Sequence, residues 1–146
     1  MGKPFSKSLT WSIVIILVVL TIQGLTGFYV STNAMFPTSV SHSLTGMYKE
    51  LQQAGNVALY HGLWVIVLLI FSILVLVLSF KTKILSVTVI SILGLLALII
   101  ATLGGLLFVY SGFQTDAYSA LMEYSFIVAW VLYLIEFYYA YVYHTS

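Results

Sequence analysis

The sequence predicts an all-α fold, namely an integral membrane four-helix bundle with an amphipathic helix in its first outer loop. Hydrophobic residues make up 62% of the 146 residues, whereas charged residues make up only 6%. A spanning helix needs roughly 20 mainly apolar residues, and four stretches have that length, over about 9–29, 57–80, 84–110 and 117–143. Because these stretches and one loop use up the chain, we expect a single domain over residues 1–146.

The four stretches are predicted to be helices rather than strands. Lipid supplies no water to the backbone of an open strand, so a spanning segment has to satisfy its own backbone groups. A membrane β-barrel alternates polar and apolar residues, whereas these stretches are continuous runs of Leu, Ile and Val. The first stretch follows Lys3 and Lys7, as a signal peptide would. At about 21 residues it is too long for a typical signal core, and we therefore expect it to be retained as the first span.

The lysines predict the orientation of the bundle. Lys3 and Lys7 precede the first span, and Lys81 and Lys83 form the link between the second and third spans. Lys49 is the one lysine on the opposite side. Because positive charge marks the cytoplasmic side, we expect a multi-pass protein of the cell membrane with both termini in the cytoplasm.

The first outer loop contains a predicted amphipathic helix over about 39–54. Pro37-Thr38-Ser39 is typical of a helix start, since a hydroxyl there can accept a hydrogen bond from a free backbone N–H. Gly55 is a plausible stop. Apolar residues recur at helical spacing, at Val40, Leu44, Met47, Tyr48 and Leu51. We expect this helix to lie over the ends of the spans as a lid.

Several function classes are excluded by composition. The chain has no Cys, which excludes thiolate metal sites and Cys nucleophiles. It has no basic cluster and therefore lacks the positively charged surface that binds nucleic acid. It also has no Gly-rich phosphate loop, no metal-spaced His/Asp cluster and no nucleophile beside an obvious base. The expected partner is the lipid bilayer, and the sequence leaves open whether the protein is an enzyme.

Three polar residues at membrane depth form the candidate site. His61 lies near the outer end of the second span, Glu123 lies about two turns into the fourth, and Gln23 lies near the outer end of the first. Alternating helix directions place all three in the same leaflet, so we expect them to converge. The partner of Glu123 would be His61, or a Tyr hydroxyl bonded to a neutral Glu123. Ionisable residues inside a membrane are candidates for a cofactor or proton site. The alternative is a structural hydrogen bond that fixes the helix register.

Met122 and two glycines complete the predicted cofactor site. Heme iron accepts Met as well as His, so Met122 is a candidate second ligand beside His61, the tentative metal ligand. Gly104 and Gly105 would provide clearance for a flat cofactor. For all three residues the alternative is plain helix packing, since small residues let membrane helices approach closely. Ala97, Ala101 and Gly105 follow that spacing.

Glu136 indicates contact with other subunits. It lies thirteen residues after Glu123, which is about 220° of helical rotation, so the two acids are predicted to occupy different faces. A carboxylate facing lipid is hard to justify, and Glu136 therefore favours a homo-oligomer or other membrane subunits. The different faces argue against a proton or small-solute pathway that would use both acids as relays. His42 and His144 are expected to be solvated.

The sequence contains three short motifs near helix ends: Thr21-Ile22-Gln23-Gly24-Leu25-Thr26-Gly27, Tyr60-His61-Gly62-Leu63-Trp64 and Leu103-Gly104-Gly105-Leu106. Together they resemble the four-helix half-unit of heme A synthase. The resemblance implies that His61 matches a heme ligand. The chain departs from the family pattern in lacking a second His on the fourth span, an acidic residue one turn before His61, and any Arg to pair with heme propionates. We therefore do not carry over the synthase activity.

The leading hypothesis is a small protein like a b-type cytochrome. It would bind heme b, or a quinone-like ligand, near the outer leaflet and serve in electron transfer or heme handling. The ligand set would be His61, with Met122 or Glu123 on the fourth span. The alternative is a cofactor-free accessory subunit of a larger membrane complex of respiratory type.

Overall fold

The computed structural model describes residues 7–35 and 43–145, which form five α-helices. The helices are α1 (Lys7–Asn33), α2 (Leu44–Gln53), α3 (Asn56–Thr82), α4 (Leu85–Tyr110) and α5 (Asp116–Thr145). Strands are absent from these described ranges. The all-α prediction is confirmed. Each predicted span lies inside one of the four long helices, except that the third predicted span begins one residue before α4.

Four of these helices are long and apolar enough to cross a membrane: α1, α3, α4 and α5. Many of their large apolar side chains are exposed on the outside of the bundle, among them Ile70 and Leu103. A soluble protein rarely exposes so large an apolar surface. The exposed surface of the bundle therefore suits lipid, as expected of an integral membrane protein.

The four long helices pack as a closed ring. α1 contacts α3 and α5, α3 contacts α4, and α4 has its most extensive interface with α5. Each helix contributes a narrow buried stripe to the core, and α1 shows the helical spacing of such a stripe. The fully buried apolar side chains are Leu9, Ile13, Ile16, Leu20, Val75, Val87, Ala129, Tyr133 and Ala140.

Glycines set the close approach of α4 and α5. A Cβ added at Gly104 would lie 2.8 Å from the backbone nitrogen of Met122. A Cβ added at Gly94 would lie 2.9 Å from the ring of Tyr133. Both distances are shorter than real Cβ contacts, so the two helices meet at this separation because α4 has no side chain at these points. The predicted packing role of small residues on this span agrees with the geometry.

The connections hold neighbouring helices antiparallel. α3 ends at Thr82, and Lys83 adopts a left-handed conformation with φ of 59° before α4 begins. Between α4 and α5, Gly112 and Phe113 also have positive φ, and the Phe113 ring packs edge-on against Phe108 at 5.5 Å.

The short helix α2 lies over one end of the bundle, in contact with α3 and α4. Its N-cap is Ser43, whose hydroxyl accepts a hydrogen bond from the Gly46 backbone N–H at 3.0 Å. Met47 and Leu51 are half-buried, whereas Leu44 is exposed. The predicted start at Pro37-Thr38-Ser39, together with Val40, lies outside the described residues. The described part agrees with a capping helix.

Replacing Gly104 with Ala is expected to destabilise the bundle, because the new methyl group meets the α5 backbone rather than a movable side chain. Overpacking of this kind typically costs about 1–3 kcal/mol. The measurement is the free energy of unfolding in mixed detergent micelles. Gly62→Ala is the matched control, since its added Cβ would make an ordinary 3.4 Å contact with Leu51. Equal stability of the two variants would contradict the proposed tight interface.

Candidate functional site

His61 lies on the second turn of α3 and faces α1. A Cβ added at Gly27 would lie 3.0 Å from His61 Cε1, so the imidazole ring rests on the α1 backbone where a glycine leaves room. The side chain is half-buried. The position of the ring is therefore set by α1 as much as by its own helix.

Two side chains of α1 bind His61. The Gln23 amide donates to the His61 carbonyl oxygen at 2.8 Å, and its nitrogen lies 3.4 Å from His61 Nε2. The Thr26 hydroxyl lies 3.0 Å from His61 Nδ1. We call His61, Gln23, Thr26 and Gly27 the His61 cluster. The predicted convergence of Gln23 and His61 is thus present, whereas sequence reasoning missed Thr26, although it lies one turn from Gln23 on the same face.

The hydrogen bonds of the cluster favour one tautomer of His61. The Thr26 hydroxyl donates its single proton to the Gln23 carbonyl oxygen at 3.0 Å. While it does so, it accepts at the 3.0 Å contact with His61 Nδ1, and this arrangement favours the tautomer with the imidazole proton on Nδ1. In the neutral ring Nε2 is then an acceptor, and it faces the Gln23 amide.

The other predicted site residues lie elsewhere. The Glu123 side chain is exposed, and its Oε1 accepts from the Ser119 hydroxyl at 3.4 Å. The sulfur of Met122 would lie 3.1 Å from a Cβ on Gly105, so Met122 packs between α4 and α5. Because neighbouring helical residues are about 100° apart, a helix that turns Met122 toward α4 turns Glu123 outward. Glu123 and Met122 do not join the His61 cluster.

This arrangement does not fit a heme. The acceptor nitrogen of His61 faces the Gln23 amide, where an iron and its porphyrin would need space. The predicted clearance at Gly104 and Gly105 is filled by Met122. Separately from heme, the described residues include no group of three His, Cys, Asp or Glu side chains that could hold a metal ion. Heme binding stays a prediction, and no reaction is assigned to a heme.

A second polar cluster lies nearer the other end of the bundle. Glu136 has no exposed surface, and its Oε1 lies 2.5 Å from the Ser91 hydroxyl of α4. One turn earlier on α5, the Tyr133 hydroxyl bonds to Ser72 of α3. We call these four residues the Glu136 cluster. It connects three helices through buried side chains.

Glu136 therefore points into the bundle and not toward a second subunit. The predicted separation of the two acids onto different faces is correct, but their roles are exchanged, because Glu123 is the exposed acid. The sequence did not reveal the burial of Glu136. The available signal was the i, i+3 spacing of Tyr133 and Glu136, which puts two polar groups on one helix face.

No family model, curated protein or solved structure matches the chain. The likeness to the heme A synthase half-unit therefore remains a resemblance of short motifs. The geometry of the two clusters has to support any functional proposal.

The tautomer of His61 is open to direct measurement. We expect ¹⁵N NMR of histidine-labelled protein in lipid to show His61 neutral and protonated at Nδ1. Thr26→Val should shift the ring toward the Nε2–H form, since Nδ1 loses its acceptor. Thr102→Val is the control, because that hydroxyl donates only to its own helix at Leu98. An Nε2–H signal in the wild type would contradict the assigned network.

Proposed function

We propose that this protein is a cofactor-free helical subunit of a larger membrane assembly, and that it contacts its partner through α5. The observation that carries the proposal is the exposed carboxylate of Glu123. It follows the start of α5 by seven residues, about 10 Å along a helix that rises 1.5 Å per residue. In a helix long enough to cross a membrane, such a group needs a partner.

The surroundings of Glu123 favour a protein partner over lipid. Its hydrogen bond to Ser119 is long, at 3.4 Å, and Ser119 belongs to the same helix. The next residue, Tyr124, is 71% exposed and presents a large amphipathic ring. Tyr is enriched at the centres of protein interfaces. The matching partner is a membrane helix with a Lys, Arg or hydroxyl group at this depth.

The packing of the other predicted site residues is compatible with a structural role. His61 is bonded by Gln23 and Thr26, and Met122 fills the space over Gly105. Polar contacts of this kind link membrane helices at about 0.6 kcal/mol each on average. In this proposal the His61 cluster holds α1 against α3, and Gly104 and Gly105 hold α4 against α5.

We also propose the orientation with cytoplasmic termini. Lys7, Lys81 and Lys83 are exposed at one end of the bundle, and the positive-inside rule places that end in the cytoplasm. The His61 cluster and Glu123 then lie toward the outer leaflet.

The test is native mass spectrometry of the protein after gentle solubilisation of its own membranes. We expect a stoichiometric membrane partner that Glu123→Gln reduces by at least about tenfold, since breaking a buried charged pair costs about 2–5 kcal/mol. Asp116→Asn is the matched control, because this exposed acid lies at the start of the same helix. A wild-type protein isolated in the same way without a partner would overturn the proposal.

A quinone-like ligand with an electron-transfer role is the second candidate function. It is favoured by two acceptor atoms in the His61 cluster. His61 Nε2 has only the long 3.4 Å contact to the Gln23 amide, and Gln23 Oε1 is buried without a hydrogen-bond partner among the described residues. A ligand hydroxyl, as in a quinol, could donate to these atoms.

Purified protein distinguishes this second candidate. An optical spectrum reports heme through a Soret band, and solvent extraction followed by chromatography reports quinone. If the protein binds such a ligand at His61, the His61→Ala variant loses it, whereas His144→Ala near the C-terminus retains it. A wild-type preparation with neither heme nor quinone would remove this candidate and leave the subunit proposal intact.

A further inference from the structure

Glu136 does not belong to the contact surface proposed at Glu123. It lies thirteen residues later on α5, on a different face of the helix, and is fully buried. The segment that contains it is long enough to cross a membrane. Its carboxyl group meets one hydrogen-bonding side chain, Ser91, at 2.5 Å. Its second oxygen, Oε2, is buried without a hydrogen-bond partner among the described residues.

The hydrogen bonds of Ser91 are compatible with a protonated Glu136. The Ser91 hydroxyl has one proton and two acceptors in range, the Val87 carbonyl at 3.1 Å and Glu136 Oε1 at 2.5 Å. Serines inside helices commonly donate to the carbonyl one turn back. When Ser91 donates to Val87, the proton between Ser91 and Glu136 is the carboxyl proton; when Ser91 donates to Glu136 Oε1, its proton is no longer available to Val87.

The ionised alternative is poorly accommodated. A carboxylate would place charge on Oε2, which has no partner, and no basic side chain of the described residues forms an ion pair with Glu136. Burying an uncompensated charge is far more costly than burying a neutral polar atom. With the proton on Oε1, Oε2 is instead a neutral carbonyl oxygen.

Among the described residues, no cationic side chain compensates Glu136. On α5 itself, the titratable neighbour that it influences electrostatically is Tyr133. From α4 it meets the Ser91 hydroxyl, and that helix has no ionisable side chain before Tyr110 at its far end. The ionisable groups of α1 and α3 at this end are Lys7 and Lys81, and both are exposed.

We propose that Glu136 is a proton-binding site inside the bundle. Uptake of one proton from water forms the O–H bond at Oε1 and removes the buried charge, so that Glu136 donates to the Ser91 hydroxyl of α4 instead of accepting from it. Release of that proton to water leaves an uncompensated carboxylate and loosens the α4–α5 interface beside Tyr133. The step moves a proton and involves no electron transfer. The site thus makes the packing of this interface sensitive to pH.

Infrared difference spectroscopy of the full chain in lipid nanodiscs tests the proposal. We expect the carbonyl stretch of a protonated carboxylic acid at neutral pH, which shifts in D₂O. The band should be lost in Glu136→Gln and retained in Glu123→Gln, the matched control with an exposed acid. Ser91→Ala should keep the band and shift its frequency, because the carboxyl group loses its hydrogen-bond partner.

Thermal stability provides a second measurement. The melting temperature of the wild type should fall as pH rises from the ordinary carboxyl range to the pH at which the folded protein releases the proton, because in that interval the folded state holds a proton that the unfolded state has lost. Glu136→Gln should abolish that fall. Tyr133→Phe separates the contribution of the neighbouring phenol and should retain the fall. Absence of the infrared band at neutral pH overturns the proposal, and so does a melting temperature that rises with added Na⁺ or K⁺, which would indicate a bound cation in place of the proton.

Discussion

The structure depends on one constraint, that polar groups inside a membrane cannot turn to water and must find partners within the bundle. The chain meets this constraint with two small clusters at different levels. Near the α2 end, Gln23 and Thr26 of α1 bind His61 of α3. Nearer the other end, Ser91 of α4 meets Glu136, and Ser72 of α3 bonds to Tyr133. Each bond crosses between helices, so the polar contacts fix which faces meet.

Glycine determines where those contacts are possible. Gly27 lets the His61 ring lie against α1, and Gly94 lets the Tyr133 ring lie against α4. Because α4 and α5 run antiparallel, the pairing of Tyr133 with Gly94 brings Glu136, three residues later, to Ser91, three residues earlier. Close packing and polar pairing are therefore one arrangement, and a slip of register would separate the carboxyl group from its hydroxyl partner.

The two clusters differ in what they leave unsatisfied. In the His61 cluster the unpaired atom is a neutral amide oxygen of Gln23, whereas in the Glu136 cluster it belongs to an acid. The first is a modest cost that a ligand hydroxyl could remove. An unpaired oxygen on a buried acid is tolerated only when the acid is neutral, so the packing of the Glu136 cluster depends on the protonation of Glu136. Glu123 provides a contrast, since it is exposed and depends on what surrounds the bundle.

The sequence by itself determined the fold class and the number and limits of the spans, and it placed Gln23 and His61 at the same depth. These properties follow from the lengths of apolar runs and from depth along antiparallel helices, and both quantities depend only on position along the chain. Sequence also separated Glu123 from Glu136 by angle. The tertiary structure alone decided which acid faces inward, because angle gives a difference between faces and not the position of the neighbouring helices. That position is set by the contact of Gly104 with Met122 and of Gly94 with Tyr133, which rotates Glu136 into the core.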